Sequence, residues 1–132
     1  MDIKILEIAT DTKNIKNISN FTHTSKLKNN LCGDEVRIEL IIKKNFIKDF
    51  GYNCKSCVYC QASASILSKY SKDKSLNIIR DLIISAEKFF AEENYKFPGK
   101  WKILTKIFLK RNIARKDCIL LPFKTLAKAI KL

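Results

Sequence analysis

The sequence lacks any long hydrophobic run, and no stretch approaches the roughly 20 apolar residues that a membrane-spanning helix requires. Its first residues, Met-Asp-Ile-Lys, do not open a secretory signal, and it has no internal repeat or low-complexity linker. Hydrophobic residues make up 46% of the 132 residues, which is typical of a globular protein and argues against disorder. We therefore expect one domain over residues 1–132 and a cytoplasmic location.

Histidine is almost absent, since the chain has only His23, which falls on a predicted strand. A lone histidine is more often structural than a ligand, so we exclude it from the candidate site. Five cysteines form an odd set without a secretory context, which argues against a disulfide framework. Thiolate chemistry is the better interpretation of these cysteines.

Acidic residues are half as numerous as basic ones, 13 against 26, and the net charge is +13. Such a charge can attract nucleic acid, an anionic membrane surface or an acidic protein. The basic residues are spread along the chain, and the densest stretch, 100–116, alternates them with apolar residues at helical spacing. We interpret these basic residues first as a solvated face, second as a docking surface for an acidic partner, and third as a surface that binds nucleic acid.

The clearest secondary-structure pattern is the alternation of apolar and polar residues over 35–43. It predicts a strand with one face on a core, flanked by strands over 20–27 and 46–52. Short connections favour an antiparallel sheet.

Helical patterns follow the strands and predict a short helix within 1–19 and helices over 58–70, 76–90, 100–109 and around 123–130. Asp73 or Ser75 can cap the helix over 76–90, and Pro122 should lie in the early turns of the last helix. Strands first and helices after predict an α+β domain, with a small three-stranded antiparallel sheet covered by helices on one face.

Three cysteines lie in distinct local sequences, far apart in the chain: Cys32, Cys57 and Cys118. Asp34 can add an oxygen ligand, and a turn at Gly33 or an extended strand would bring it beside the first cysteine. Three sulfurs and one carboxylate suit tetrahedral Zn²⁺, or iron within a cluster. Inert buried thiols are an alternative that the residues alone leave open.

Cys57 and Cys118 are both expected near helix starts, where the helix dipole favours a thiolate. Arg115 is placed to offset the negative charge of such a site. Cys54, Cys57 and Cys60 also form a C-x₂-C-x₂-C run, but the fourth cysteine of a ferredoxin pattern is missing. Cys60 is then a spare ligand, a resolving thiol or incidental, and we favour the last.

Five short segments occur in a characteristic order: Cys32-Gly33-Asp34; Cys57 with Ala62-Ser63-Ala64-Ser65; Asp73-Lys74-Ser75-Leu76; Arg115-Lys116-Asp117-Cys118; and 120–126. This order resembles the NifU N-terminal, IscU and SufU family of iron–sulfur cluster assembly scaffolds. The resemblance covers about residues 20–132, whereas 1–19 match poorly. It implies the NifU/IscU-like α+β fold.

The resemblance also implies site roles. Cys32, Asp34, Cys57 and Cys118 would bind Zn²⁺, as in SufU-like members, and Cys32 would accept persulfide sulfur from a pyridoxal-phosphate cysteine desulfurase of the SufS/NifS type. Sulfur would pass to a downstream scaffold or acceptor protein. Such a protein is a scaffold or sulfurtransferase rather than a conventional turnover enzyme. The alternative is an IscU-type scaffold that assembles a [2Fe–2S] cluster on the same cysteines.

Two features favour the SufU branch. IscU-like proteins have histidine immediately before the last cysteine, where this chain has Asp117, and the segment 75–118 resembles the SufU insertion. SufU-like proteins usually have lysine immediately before the last cysteine, so Asp117 departs from both branches. We expect Asp117 to be a helix cap. A lower-ranked alternative, a basic nucleic-acid-binding module with structural zinc, lacks both the aromatic RNA-binding pattern and zinc-finger spacing.

Overall fold

The computed structural model describes residues 3–132. Its elements in chain order are α1 (Ile3–Ala9), β1 (His23–Lys28), β2 (Glu35–Lys43), β3 (Phe46–Lys55), α2 (Val58–Ser71), α3 (Leu76–Ala91), two 3₁₀ helices (Gly99–Lys106 and Lys110–Arg115) and α4 (Lys116–Ala129). The predicted α+β fold with a three-stranded antiparallel sheet is confirmed. No helix within residues 3–132 has the length and apolar character needed to span a membrane.

The sheet has the order β1-β2-β3, with β2 in the centre. Val36, Ile38 and Leu40 of β2 are buried, as their alternation predicts, because α2 and α4 pack over this face. The polar face of β2 departs from the pattern, since Glu39 is also buried. The N-terminal segment covers it there, and the backbone N–H of Ile18 donates a 2.9 Å hydrogen bond to Glu39 Oε1.

The segment 12–18 runs along β3. The N–H of Tyr52 donates to the carbonyl of Asn14 at 3.1 Å. At Gly51 this segment and β3 approach so closely that a Cβ atom on residue 51 would lie 2.6 Å from the carbonyl oxygen of Lys16. Glycine is therefore required at position 51 by the contact with this segment.

Two helices, α2 and α4, form the layer nearest the site. The small residues Ala62 and Ser63 are buried in α2, so the two helices can approach closely. The Ser63 hydroxyl donates to the carbonyl of Ile119 at 2.6 Å, and Ser25 of β1 donates to the carbonyl of Thr125 at 2.5 Å. These buried bonds fix α4 against both its neighbours.

The prediction of a helix over 100–109 is wrong in its type and its bounds. A 3₁₀ helix, Gly99–Lys106, occupies most of this region, and it is interrupted at Trp101, whose φ of −113° and ψ of 27° lie outside the helical range. Trp101, Leu104 and Ile107 are nonetheless buried, so this segment contributes to the core.

Of the two candidate caps for α3, the structure selects Ser75, whose hydroxyl accepts from the N–H of Ile78 at 3.3 Å. Asp73 lies in the preceding turn with φ +65°. Pro122 is the seventh residue of α4, in its second turn. It therefore lies beyond the first turn, where a missing N–H costs nothing, and cannot donate to the carbonyl of Cys118.

Candidate metal centre

The loop between β1 and β2 carries the first two candidate ligands. The N–H of Asn29 donates to the carbonyl of Asp34, and the N–H of Gly33 donates to the carbonyl of Asn29, both at 2.7 Å. Gly33 has φ +78°, which glycine adopts without strain. Of the two geometries considered for this motif, the turn at Gly33 is the one found, and it separates an exposed Cys32 from a buried Asp34.

Asp34 is only 6% exposed. Its Oδ1 accepts a 3.2 Å hydrogen bond from the backbone N–H of Cys57, which joins the loop to the start of α2. Its Oδ2 is buried and, among the residues described, has no hydrogen-bond partner. A buried polar oxygen without a partner is costly, so this atom is suited to bind a cation.

Cys57 and Cys118 reach the same place from two helices. Cys57 is the N-cap residue of α2, but its side chain makes no capping hydrogen bond. Cys118 is the third residue of α4 and 6% exposed. Burial raises the pKa of the Cys118 thiol well above its usual range, and the neighbouring Cys57 thiol and Asp34 carboxylate raise it further.

The ligand atoms of Cys32, Asp34 and Cys118 all lie within 4.8 Å of one another. Cys57 lies outside this closest group, but its backbone N–H is hydrogen-bonded to Asp34 Oδ1. The four residues predicted as ligands thus converge at one end of the sheet. Thiol sulfurs with one carboxylate oxygen fit tetrahedral Zn²⁺, and the same sulfurs fit iron in a cluster.

Cys32 differs from the other three because it is exposed, on the tip of the loop. Its neighbour Leu31 is 92% exposed, an unusual position for a large apolar side chain. Sequence patterns did not single out Leu31; an apolar residue in a predicted loop was the available signal. A protein approaching this end of the molecule would meet Leu31 and Cys32 together.

Arg115 lies on the surface, with its guanidinium carbon 5.5 Å from the centroid of the Tyr59 ring. Its predicted role in offsetting charge at the site stays a prediction. Asp117 is exposed in the first turn of α4, where the N-cap position is Arg115 and no side chain caps the helix by a hydrogen bond. The expectation that Asp117 is the cap is therefore wrong, although a carboxylate there still complements the helix dipole.

The remaining cysteines, Cys54 and Cys60, are not among the three residues whose ligand atoms lie within 4.8 Å of one another. Cys54 lies on β3, and Cys60 lies in α2, where it is fully buried. A hydrogen bond between the two thiols lowers the pKa of Cys54 and, together with burial, raises that of Cys60. His23 begins β1, at the opposite end of that strand from the cysteine loop, with its Nδ1 2.8 Å from the Thr22 hydroxyl.

A small α+β domain that gathers thiols and a carboxylate at one end of its sheet defines a metal- or cluster-handling class of protein. The model of the NifU-like N-terminal domain matches residues 2–96. The iron–sulfur cluster assembly scaffold protein IscU of Thermotoga maritima is 34% identical over 128 residues, which cover 96% of this chain and 89% of that protein. The chain belongs to the NifU-like N-terminal domain family.

Solved structures agree on the fold. A NifU-like protein from Brucella abortus superposes with a TM-score of 0.89 at 21% identity, covering 98% of this chain and 91% of that one. A putative SUF-system scaffold protein from Fervidobacterium islandicum gives a TM-score of 0.88 at 24% identity, covering 98% and 96%. The family match and the Thermotoga relative confirm the resemblance inferred from the motifs, and the solved structures confirm its fold. The family match begins at residue 2 and ends before Cys118, so the last candidate ligand lies outside it.

Proposed function

We propose that this chain is an iron–sulfur cluster assembly protein in which Cys32 accepts sulfur from the persulfide of a cysteine desulfurase. The observation that carries the proposal is the position of an exposed Cys32 within 4.8 Å of the buried ligand atoms of Asp34 and Cys118. One residue can thus belong to a metal site and still meet a partner protein. The relative from Thermotoga maritima, described as an assembly scaffold, supports the same assignment.

Cys32, Asp34, Cys57 and Cys118 would hold Zn²⁺. When bound, zinc would keep the thiols deprotonated and join the loop to both helices. Asp34 is prepared for this role because one carboxylate oxygen is already held by the N–H of Cys57 and the other has no hydrogen-bond partner among the described residues. Cys118, whose thiol pKa is raised by burial, must release its proton when a metal binds.

Sulfur transfer needs only thiol chemistry on this chain. The Cys32 thiolate attacks the outer sulfur of the partner's persulfide, a new S–S bond forms on Cys32, and the partner's cysteine leaves as a thiolate. No net oxidation occurs, because one S–S bond replaces another. The net charge of +13 would speed the encounter with an acidic partner, and Leu31 would be buried on contact.

A second candidate is an IscU-type scaffold that assembles a [2Fe–2S] cluster on Cys32, Cys57 and Cys118, which the name of the Thermotoga relative favours. We prefer the zinc-dependent, SufU-like function because Asp117 stands where the IscU branch has histidine. His23, the sole histidine, lies at the far end of β1 and does not supply that nitrogen.

Metal analysis separates the two candidates. Protein purified anaerobically without added metal should be colourless with about one zinc per chain, whereas visible absorption and iron would favour the cluster scaffold. Cys57→Ala should lose the metal because structural metal binding is coupled to folding, and Cys54→Ala, the matched control, should retain it. Equal loss in both variants would contradict the ligand set.

Sulfur transfer is tested with a purified cysteine desulfurase. Cys32→Ser should abolish stimulation of the enzyme, because a hydroxyl of high pKa does not replace a thiolate nucleophile. Persulfide detected by mass spectrometry should map to Cys32, and Cys60→Ala should behave as the parent protein. Full stimulation by Cys32→Ser would refute the role assigned to this cysteine.

A further inference from the structure

A cavity of about 510 Å³ lies where α1, α2 and the first 3₁₀ helix meet. It borders the C-terminal half of α2, residues 65–70, whereas Cys57 of the candidate metal centre lies at the N-terminus of that helix. Its volume falls within the range of about 300–1,000 Å³ that is usual for small-molecule sites. The cavity therefore has room for a ligand that the proposed function does not use.

The walls of this cavity are largely apolar. Ile8 of α1 and Ile66 and Tyr70 of α2 line it together with Ile103 of the first 3₁₀ helix. Ile103 is 37% exposed, so a large apolar side chain of the wall is left partly in water. A ligand with an apolar body would cover this surface, and the removal of apolar area from water is a favourable contribution to binding.

One acidic residue of the lining, Asp11, already has its charge compensated. Its carboxylate accepts hydrogen bonds from the Lys69 ammonium and, at 3.1 Å, from the backbone N–H of Lys13. Its carbonyl accepts from the Ser65 hydroxyl at 3.2 Å, which ties this residue to α2. Asp11 and Lys69 therefore form a fixed pair at the edge of the cavity.

Three other donors of the lining remain available. Lys74 has its Nζ 5.2 Å from the centroid of the Tyr70 ring, and Lys106 is exposed. Within residues 3–132, neither ammonium makes a hydrogen bond or ion pair, and the Tyr70 hydroxyl makes no hydrogen bond. Glu7 is the other acidic residue of the lining, so two lysines stand against one carboxylate once the Asp11 pair is set aside. This balance of charge suits a ligand with one negative group.

We propose that this cavity binds a small carboxylic acid with an apolar chain or ring. The carboxylate accepts hydrogen bonds from the Tyr70 hydroxyl and from the ammonium groups of Lys74 and Lys106, and the apolar body lies against the three isoleucines. Hydrogen bonds from ammonium groups to a carboxylate are among the stronger ones in proteins. The site is separate from the candidate metal ligands, and the inference does not depend on the proposed function.

Octanoate is the probe for this site, and it is titrated into ¹⁵N-labelled full-length protein while amide chemical shifts are recorded. We expect a dissociation constant of about 1 mM, which is reasonable for a ligand of this size, and the largest shifts at amides of the lining. Octylamine and 1-octanol keep the chain but lack the anionic group, so they should bind at least about tenfold more weakly. Acetate, which lacks the chain, should not shift these amides.

Three variants test the assigned contacts. Lys106→Ala should weaken octanoate binding about fivefold, the upper end of what a solvent-exposed ion pair contributes. Tyr70→Phe should weaken it about tenfold, because a hydrogen bond to a charged group is lost. Lys102→Ala is the matched control, since Lys102 is exposed on the same 3₁₀ helix but lies outside the lining, and its affinity should equal that of the parent protein.

The amide spectrum of each variant without ligand reports whether the fold is kept. The proposal is overturned by the absence of shifts at the lining with about 10 mM octanoate, or by equal affinity for octanoate and octylamine. It is also overturned if Lys106→Ala and Tyr70→Phe both bind octanoate as the parent protein does, or if Lys102→Ala weakens binding as much as Lys106→Ala.

Discussion

Replacing Asp34 by asparagine should change the stability of the metal-free and metal-bound protein in opposite directions. Asparagine keeps an oxygen that can accept from the N–H of Cys57, but it replaces the buried Oδ2, which lacks a partner among the described residues, by an amide NH₂. That NH₂ can donate to the nearby sulfur of Cys118. Leaving a buried polar atom unpaired costs about 1–3 kcal/mol, so we expect the metal-free variant to gain about 1 kcal/mol in free energy of unfolding.

The metal-bound variant should instead be weaker, because a neutral amide is a poorer ligand for Zn²⁺ than a carboxylate. If zinc affinity falls ~100-fold, the stabilisation provided by a fixed excess of zinc falls by about 2.7 kcal/mol. Urea unfolding with a chelator and with excess zinc measures both quantities on the same preparation. Chelator competition at fixed pH gives the affinity directly.

Two controls isolate the effect. Asp34→Ala also removes the acceptor for the N–H of Cys57, so its metal-free form should be less stable than Asp34→Asn by about 1–3 kcal/mol. Asp117→Asn removes one negative charge at an exposed position near the site, and its stability should stay within about 0.5 kcal/mol in both conditions. Unchanged zinc affinity in Asp34→Asn, with weakened binding in Asp117→Asn, would refute the ligand set.

Further predictions concern the fold. Gly51→Ala should lower the free energy of unfolding by about 3 kcal/mol, because the added Cβ would lie 2.6 Å from a backbone carbonyl oxygen. Gly33→Ala should lower it by about 1 kcal/mol, because its positive φ is strained but no atom obstructs the Cβ. The reverse order in urea unfolding would contradict the contact at Gly51. Burial raises the pKa of Tyr52 to about 12, which ultraviolet absorbance of the phenolate can measure by comparison with Tyr52→Phe. Because the unfolded phenol ionises near pH 10, stability should fall between pH 10 and 12, and Tyr52→Phe should remove that part of the fall. Ser75→Ala should lower the unfolding free energy by about 1 kcal/mol through loss of the α3 cap, and an unchanged value would exclude that role.

Local patterns predict well where one physical requirement dominates. The alternation over 35–43 predicts the bounds of β2, because only one register buries Val36, Ile38 and Leu40 together. A helical repeat likewise predicts α3 to within one residue. In both elements burial of a single apolar face decides the conformation.

Prediction fails where distant contacts decide. The segment after Pro98 is 3₁₀ rather than α-helical and has a kink at Trp101, and an apolar spacing of three to four residues does not distinguish the two kinds of helix. The burial of Glu39 depends on a segment about twenty residues earlier in the chain. Such long-range covering leaves no local signal in the sequence.

Part of the candidate site follows from the motifs and part does not. Cys32, Asp34, Cys57 and Cys118 were expected to converge on the strength of a resemblance. The structure places the ligand atoms of Cys32, Asp34 and Cys118 within 4.8 Å of one another and joins the N–H of Cys57 to Asp34. The position of Cys54 was not expected, because β3 extends to Lys55, beyond the predicted end at residue 52, and so includes this cysteine.

The segment 12–18 also covers part of an exposed edge of the sheet. β3 is an edge strand of the sheet, and an edge strand with free backbone groups is a template for pairing with another chain. The bond from Tyr52 N–H to the carbonyl of Asn14 occupies that edge, and the short bridge between Ile15 and Tyr52 continues it. Without this segment, the backbone of β3 at Tyr52 would be open to pairing with another chain.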